Sequence, residues 1–513
     1  MEKSRTYNSI VNSLFGIGAS AITVILNFFV RIVLVRQLGE EINGLHNLFQ
    51  SILSVMTLME LGISSAMIIH LYEPVKENKV DMIKGIMAFY RRVYRIIAGV
   101  FGGVCIFTAI FLMDTIVTTT IDMVRVRLYF LIFGFSFVLN YLTYYKRSLL
   151  FAEQKNRVSM GVTAVCEVIF RSIQIVLLIL YKQYIIFLVL WVIEKATSNI
   201  ICAIYVDKRH PYLKHNSAEI SKDKKTDIFN TVKPLIINQA ANTVSQSAKS
   251  ILISLLLGNV SVVGYYGNYQ LIINMVEMIY TQFGGAFTSS FGNLSVDNDH
   301  KRMMSAYKKS AFIMNWFAAI MCAGFFVCIQ DFITIAFGKS FVLDTISVIS
   351  LLLNLIFYLI NIPIISIQNA MGLHNLDAKH MIIQAVLSIV LAYIGGVFYG
   401  APGIFIGLLI PLIVFTTVRK GIVITNKAFE MSRIEYLKFV SKELMKICVT
   451  IIITSLVCCF IPIKYSLLSF IVKGAVAVVL GIMIPAVLSV NTQELKYTLS
   501  LVSSLLNKIK SRI

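Results

Sequence analysis

Apolar runs of about 20 residues recur along the whole chain and are separated by short polar segments. Runs such as "IIAGVFGGVCIFTAIFLM" lack the period-two alternation that is typical of membrane β-strands. Each run is long enough to cross a hydrocarbon core of roughly 30 Å as a helix. The pattern therefore predicts an all-α polytopic membrane protein.

The apolar runs predict fourteen transmembrane helices. We place them at residues 9–35, 42–71, 85–113, 126–148, 157–181, 184–206, 229–257, 262–291, 307–330, 343–370, 379–399, 402–418, 438–462 and 466–490. An even number of spans puts both termini on one side of the membrane. The first span has no small-residue cleavage site followed by a soluble domain, so we interpret it as an uncleaved signal anchor.

The basic residues fix the predicted orientation. Of the 46 Lys and Arg residues, 35 fall on the side of the N-terminus, 6 on the opposite side and 5 within spans. Basic residues concentrate in cytoplasmic loops, so both termini are expected in the cytoplasm, as for a protein of the bacterial cytoplasmic (inner) membrane. The net charge of +20 is thus a topology signal, and we expect membrane lipids but no nucleic acid as partners.

Polar segments divide the chain into predicted domains. A basic cytoplasmic linker at 207–228 follows a six-helix bundle at 1–206 and precedes a second bundle at 229–418. Two additional spans lie in 419–490. The tail 491–513 has the apolar spacing of an amphipathic helix on the cytoplasmic surface. The loops on the outer side are short, the longest being about 114–125, so no folded domain is expected there.

The cysteines and histidines form no pattern that indicates a metal or redox site. All eight cysteines lie in apolar segments without a C-x-x-C pair, and the seven histidines are scattered. We expect no cofactor, no metal and no catalytic residue.

The two six-helix segments resemble each other in sequence. "GLHNLFQSI" at 44–52 aligns with "GYYGNYQLI" at 264–272 at an offset of 220 residues, and Ala152 aligns with Ala370 at an offset of 218. Six helices return the chain to the same side, so the repeats are parallel and related by an axis along the membrane normal. Such a layout is typical of a transporter with a central cavity between two bundles.

Three segments carry a resemblance to a known family. "LGEEINGLHNLFQSILSVMTLMELGISSAM", "RSLLFAEQKNRVSM" and "VDKRHPYLK" resemble the Wzx-type polysaccharide repeat-unit flippases of the multidrug/oligosaccharidyl-lipid/polysaccharide exporter superfamily. The resemblance covers most of the first twelve spans. It implies a V-shaped, MATE-like pair of six-helix bundles that works by alternating access. The implied substrate is an oligosaccharide repeat unit linked to polyprenyl pyrophosphate, for a capsule, O-antigen or exopolysaccharide.

Charged residues inside spans are costly and usually face a cavity. Arg31 in the first span has a counterpart at an offset of 218 in Lys249, and both cations suit a pyrophosphate. Arg31 lies roughly 7 Å and Lys249 roughly 12 Å from the end of its span, so snorkelling to the interface is an alternative for each. Depth argues against direct ion pairs with Glu60 and Glu277, which we assign to possible H⁺ or Na⁺ coupling.

Four further residues are candidates for binding the substrate. Arg171 has Glu167 one helical turn earlier, which suggests a self-compensating pair. Lys195 follows Glu194 directly, so the two side chains are expected to point in different directions. Gln50 and Gln270, with nearby asparagines, could bind sugar hydroxyls or equally join helices to each other.

The sequence contains no G-x-x-x-x-G-K-[ST] loop, so we expect secondary transport without intrinsic ATP hydrolysis. The membrane potential would favour outward movement of an anion. The alternatives are a drug or cation antiporter of the same superfamily and a lipid II flippase. A membrane glycan polymerase would need catalytic residues, usually on a sizeable outer loop, so we expect a transporter rather than an enzyme, with other polysaccharide-assembly proteins as possible partners.

Overall fold

A computed structural model describes residues 5–57, 60, 63–153, 155–214, 228, 243–244, 247–295, 300–461 and 467–510. Within these ranges all regular secondary structure is helical, which confirms the predicted all-α class. In the same ranges nine helices are long and apolar enough to cross a membrane, and the protein is therefore a multi-pass membrane protein. Residues 215–227 of the linker and more than half of the predicted span 229–257 lie outside the described residues.

Contacts divide the chain into two compact units, unit 1 from Met1 to Gly264 and unit 2 from Tyr265 to Ile513. The helices that begin in unit 1 are α1 (Arg5–Met56), α2 (Ile63–Lys76), α3 (Val80–Phe107), α4 (Met113–Ile116), α5 (Met123–Ala152), α6 (Asn156–Tyr181), α7 (Tyr184–Arg209), α8 (Ser247–Leu257) and α9 (Val260–Ser295). A π-helix (Thr108–Leu112) joins α3 to α4.

Unit 2 continues from α9 with seven further helices. They are α10 (His300–Ala336), α11 (Thr345–Met371), α12 (Ala378–Pro411), α13 (Gly421–Phe429), α14 (Arg433–Cys459), α15 (Leu467–Val487) and α16 (Gln493–Lys510). A second π-helix (Leu412–Lys420) joins α12 to α13. The predicted domain boundaries at residues 206, 228, 418 and 490 stay predictions.

Helices α1 and α12 each contain two predicted spans, which are separated by a glycine with non-helical backbone angles. Gly39 in α1 has φ 83° and Gly400 in α12 has φ 65°, both in the region that glycine enters without steric cost. Each lies in the gap that the hydropathy pattern leaves between two spans. The kinks at Gly39 and Gly400 therefore lie within the predicted outer turns 36–41 and 400–401.

The outer connection before α5 is shorter than predicted. We expected a loop over about 114–125, but the helical run continues to Ile116 and α5 begins at Met123. The polar residues Asp114 and Arg125 had ended the one predicted span too early and begun the next too late. Arg127 instead forms an ion pair with Asp114 across this connection, with 2.6 Å between Nη2 and Oδ2.

In unit 2, helices α14 and α15 pack against α10. Lys473 on α15 lies 2.7 Å from Asp331 on α10, and Ser469 donates a hydrogen bond of 2.7 Å to the same carboxylate. The indole nitrogen of Trp316 donates to the carbonyl oxygen of Gly481 at 3.1 Å. Lys473 thus has a structural role, and these polar contacts join α15 to α10.

Two glycines allow the second segment of α1 to approach the beginning of α9 closely. A Cβ atom on Gly44 would overlap the carbonyl oxygen of Val260, and one on Gly264 would lie 2.9 Å from the carbonyl oxygen of Glu40. Because Gly264 and Val260 are the counterparts of Gly44 and Glu40 at an offset of 220, the contact is reciprocal. The two close approaches thus follow the offset of the predicted repeat.

Candidate functional site

Polar residues form a stripe along each of three neighbouring membrane helices of unit 1. On α6, Ser159, Thr163, Glu167, Arg171 and Gln174 follow one another at intervals of three or four residues, which places them on one face. Trp191, Lys195, Ser198 and Cys202 on α7 have the same spacing, and on α5 Ser136 and Asn140 are followed two turns later by Arg147. Helices α5, α6 and α7 pack against one another, so the three stripes meet inside the unit.

At one end of this region, Arg147 is held by hydroxyl groups. Its guanidinium donates to Ser198 Oγ at 2.7 Å, to Thr163 Oγ1 at 2.9 Å and to Ser159 Oγ at 3.4 Å. Among the described residues no carboxylate forms an ion pair with Arg147. The hydrogen-bond partners of this arginine are therefore neutral hydroxyl groups.

Next to Arg147 lies a network of two cations and two carboxylates. Arg171 Nη2 is 3.4 Å from Glu194 Oε2, while Lys195 Nζ is 2.8 Å from Glu194 and 3.3 Å from Glu167. Arg171 and Glu194 are 2% and 1% exposed. Arg171 also stacks on Trp191, with its Cζ atom 4.1 Å from the ring centroid. The charges of α6 and α7 thus compensate each other between helices.

The network corrects two expectations about these charges. Among the described residues Arg171 forms its ion pair with Glu194 rather than with Glu167, because Glu194 lies across the interface on α7 while Glu167 pairs with Lys195. Glu194 and Lys195 were expected to point apart. Instead they touch, since the long lysine stem curls back to its neighbour's carboxylate.

Arg31 lies within unit 1 beside this network. It is 7% exposed, and its Nε and Nη2 atoms have no hydrogen-bond partner among the described residues. The charges of Arg31 and Arg171 both act on His46, whose Nδ1 atom lies 3.0 Å from the Tyr184 hydroxyl. Arg31 interacts electrostatically with Tyr184, to which His46 is hydrogen-bonded. Because 15 residues separate Arg31 from His46 in the sequence, α1 must turn back at Gly39.

We call Arg31, Arg147, Glu167, Arg171, Glu194 and Lys195 the cationic cluster. Four cations and two carboxylates give it a formal net charge of +2. An uncompensated charge at membrane depth is costly, and such residues commonly mark a pathway for a substrate or ion. The sign favours an anionic ligand over a cationic one.

A cavity of about 240 Å³ adjoins the cationic cluster in unit 1. Its lining consists of polar and aromatic side chains of α5, α6 and α7: Ser136, Phe137, Asn140, Arg147, Thr163, Trp191, Lys195, Ser198 and Asn199. The Asn199 side-chain amide donates to Asn140 Oδ1 at 2.8 Å. The cavity offers two cations and several neutral hydrogen-bonding groups to one small space.

Ion pairs at the basic ends of α5, α6 and α7 position the walls of this cavity. Lys146 binds Asp207 with 2.6 Å between Nζ and Oδ2, which joins α5 to α7. Glu153 contacts His210 and Lys155, each at 3.0 Å. Burial disfavours the ionised form of Glu153, but the contacts with His210 and Lys155 outweigh it and hold the pKa of this carboxyl below its usual value.

Of the predicted substrate-binding residues, the structure brings Arg31, Arg171 and Lys195 together in unit 1. Lys249 is half-buried on α8, and Gln50 is exposed on α1. Gln270 on α9 donates to Asn274 at 2.9 Å. The Asn43 side-chain amide donates to the Gly264 carbonyl oxygen at 3.1 Å, so this asparagine joins α1 to α9.

The two predicted coupling carboxylates lie in different units. Glu60 accepts a hydrogen bond of 3.2 Å from the Tyr94 hydroxyl on α3. Glu277 lies on α9 in unit 2, where it interacts electrostatically with Tyr358 of α11. In the described part of the chain no group of three or more His, Cys, Asp or Glu side chains could hold a metal ion.

Sequence reasoning missed Arg147, Trp191 and His46. Arg147 lies one residue from the end of the predicted span 126–148 and was counted with the basic residues of the cytoplasmic side, but α5 continues to Ala152 and directs Arg147 at α6 and α7. The stripe that contains Ser136, Asn140 and Arg147 was the signal that could have identified it. His46 gave no such signal, because it contacts Phe133 and Phe187, which are far from it in the sequence.

The fold is shared with solved membrane transporters. A structure described as the lipid II flippase MurJ in an inward closed conformation matches with a TM-score of 0.70 at 15% identity, covering 93% of this chain and 98% of that one. An inward-facing multidrug resistance MATE family transporter of the MOP superfamily matches with a TM-score of 0.64 at 13% identity, covering 83% and 98%. An outward-facing structure of such a transporter gives 0.54 at 13% identity, with 85% and 97% covered.

These matches confirm the predicted MATE-like fold and the resemblance to exporters of that superfamily. No protein of curated function matches the sequence. The polysaccharide biosynthesis protein family matches over residues 9–291. Because this match spans more than half of the 513 residues, the chain belongs to the polysaccharide biosynthesis protein family.

Proposed function

We propose that the protein is a flippase that moves polyprenyl-pyrophosphate-linked oligosaccharide repeat units from the cytoplasmic to the outer leaflet of the bacterial cytoplasmic membrane. It supplies capsule, O-antigen or exopolysaccharide synthesis by alternating access, with both termini in the cytoplasm. Membrane lipids and other polysaccharide-assembly proteins are its partners, and it is not an enzyme. The family match and the transporter fold support the class of this proposal.

The observation that carries the proposal is the net positive charge of the cationic cluster between the helices of unit 1. A pyrophosphate linkage is strongly anionic, and arginine binds phosphate oxygens through paired N–H groups. Moving this headgroup through the bilayer requires cations that replace its hydration. A cluster with four cations and two carboxylates offers that replacement within the membrane-spanning helices.

The sign of the charge also favours this proposal over a drug or cation antiporter. Such an antiporter needs acidic groups that bind cations and protons, whereas the carboxylates of the cluster are occupied by Arg171 and Lys195. A lipid II flippase is the stronger second candidate, because the matching MurJ structure carries that description and lipid II shares the pyrophosphate chemistry.

Deletion of the gene in its native host tests the function directly. We expect lipid-linked repeat units to accumulate on the cytoplasmic leaflet while surface polysaccharide is lost. A plasmid copy restores export. Accumulation of lipid II with normal surface polysaccharide would instead identify the second candidate, and export of cytotoxic cations without any glycan defect would contradict both.

We expect Arg31→Ala and Lys249→Ala each to reduce polysaccharide export by about tenfold or more. Hydrogen bonds to charged groups contribute about 1.5–3 kcal/mol, and 1.4 kcal/mol corresponds to a factor of ten. The measurement is surface polysaccharide in the complemented deletion strain, with the amount of membrane-inserted protein determined in parallel. Arg36→Ala, at an exposed arginine five residues after Arg31, is the matched control. Normal export by both variants would contradict this role.

We expect transport to depend on the membrane potential, which contributes about 2.3 kcal/mol per charge per 100 mV to outward movement of an anion. Glu60 and Glu277 are proposed to couple transport to H⁺ or Na⁺. In proteoliposomes, a potential that is negative on the substrate side should accelerate flipping, and Glu60→Gln with Glu277→Gln should remove the response to ion gradients but keep the response to potential. Flipping that ignores both driving forces would overturn the coupling.

A further inference from the structure

The cavity beside Arg147 has a chemical character that is distinct from the rest of the cationic cluster. The guanidinium of Arg147 contacts three hydroxyl groups but forms no ion pair with a carboxylate of the described residues. Its buried Nε atom has no hydrogen-bond partner there. Arginine stays protonated in proteins, so this wall of the cavity carries a positive charge without a counter-charge.

A second cation enters the same cavity from α7. The Lys195 side chain is 30% exposed although it pairs with Glu194 and Glu167, and it also lies 5.5 Å from the centroid of the Trp191 ring. An ammonium group has three donor hydrogens and can bind a further acceptor. Arg147 and Lys195 therefore face one space from two helices.

The remaining lining suits an acceptor-rich ligand of small size. Ser136, Thr163, Ser198, Asn140 and Asn199 bring hydroxyl and amide groups to the cavity wall. The volume of about 240 Å³ is below the roughly 300–1,000 Å³ that is typical of sites for drug-sized molecules. An uncharged sugar could use the hydroxyls but would leave Arg147 without a counter-charge, and a metal cation would meet two positive charges.

We propose that this cavity binds a phosphate-type oxyanion, with Arg147 as its principal ligand and Lys195 as the second. The anion completes the hydrogen bonding of the guanidinium and neutralises its charge. Two sources share this chemistry, free inorganic phosphate and the phosphate of a polyprenyl-linked headgroup. The assignment rests on unit 1 alone and holds whether or not the protein is a flippase.

Binding of radiolabelled inorganic phosphate to the purified full-length protein in a phosphate-free maltoside detergent tests the site. We expect saturable binding that equimolar chloride does not displace. Because a charge-assisted hydrogen bond contributes about 1.5–3 kcal/mol, Arg147→Gln should weaken the affinity about tenfold or more. Arg147→Lys keeps the charge but loses the paired donors, so it should bind with intermediate affinity.

Arg157→Gln is the matched control, since Arg157 is an exposed arginine near the same end of α6 and is expected to bind as the wild type does. A second arm adds polyprenyl pyrophosphate. Displacement of the labelled phosphate identifies the lipid headgroup as a ligand of the site, and undisturbed binding identifies free phosphate. The proposal is overturned if the wild type binds neither probe saturably, if chloride competes equally, or if folded Arg147→Gln protein binds phosphate as tightly as the wild type.

Discussion

Replacement of Glu194 by glutamine is expected to lower the free energy of unfolding by about 3–5 kcal/mol, because it breaks a buried charge network while leaving the cations in place. Glu194 is 1% exposed and contacts both Arg171 and Lys195. After the substitution, Glu167 alone compensates the two cations. The measurement is the equilibrium unfolding of the purified protein in detergent micelles.

The control for Glu194→Gln is Asp114→Asn, which breaks the pair with Arg127 at the protein surface. The Asp114 side chain is 56% exposed, and exposed ion pairs contribute only about 0–1 kcal/mol. The double variant Glu194→Gln with Arg171→Gln removes one charge of each sign and should recover part of the lost stability. Equal effects of Glu194→Gln and Asp114→Asn would show that the network does not stabilise unit 1.

Replacement of Gly44 by alanine is expected to cost about 1–3 kcal/mol of stability and to abolish most of the export activity. The new Cβ atom would overlap the carbonyl oxygen of Val260, and a backbone atom of a packed helix cannot move aside as a flexible side chain can. Close approach of helix backbones in a membrane depends on small residues at the crossing point. Thermal unfolding in detergent and surface polysaccharide in complemented cells are the two measurements.

The chain offers a graded series for the Gly44 experiment. A Cβ on Gly264 would lie 2.9 Å from the Glu40 carbonyl oxygen, so Gly264→Ala should have a smaller effect in the same direction. Gly103 lies on α3 with no atom within 4 Å of the corresponding position, and Gly103→Ala should stabilise the helix by up to about 1 kcal/mol. Destabilisation by Gly103→Ala as large as that by Gly44→Ala would exclude the steric explanation.

The positions of the helices could be predicted because a bilayer imposes one requirement on every span. Each span needs about 20 apolar residues. The sequence shows breaks between such runs at Gly39 and Gly400, where the structure has its kinks. The ends of helices that extend beyond the hydrocarbon core obey no such rule. Arg147 was therefore counted with the cytoplasmic basic residues although α5 continues past it to Ala152.

The pairing of charges inside unit 1 could be predicted only in part. The sequence places Glu167 one turn before Arg171, but which carboxylate meets which cation depends on how α6 and α7 are rotated against each other. Hydropathy carries no information on that rotation. The polar stripes on α5, α6 and α7 do carry it, since a face that repeats every three or four residues must be turned toward other polar groups.

The contact between Lys473 and Asp331 has a consequence for how the chain assembles in the membrane. A charged side chain on an inserted helix is unfavourable in lipid, so α10 and α15 each carry a residue that needs a partner. Each supplies the counter-charge that the other lacks, with 2.7 Å between Nζ and Oδ2. Because α15 follows α10 in the chain, this pair can form only after α15 has been inserted, and a chain shortened before Leu467 would leave Asp331 without its counter-charge.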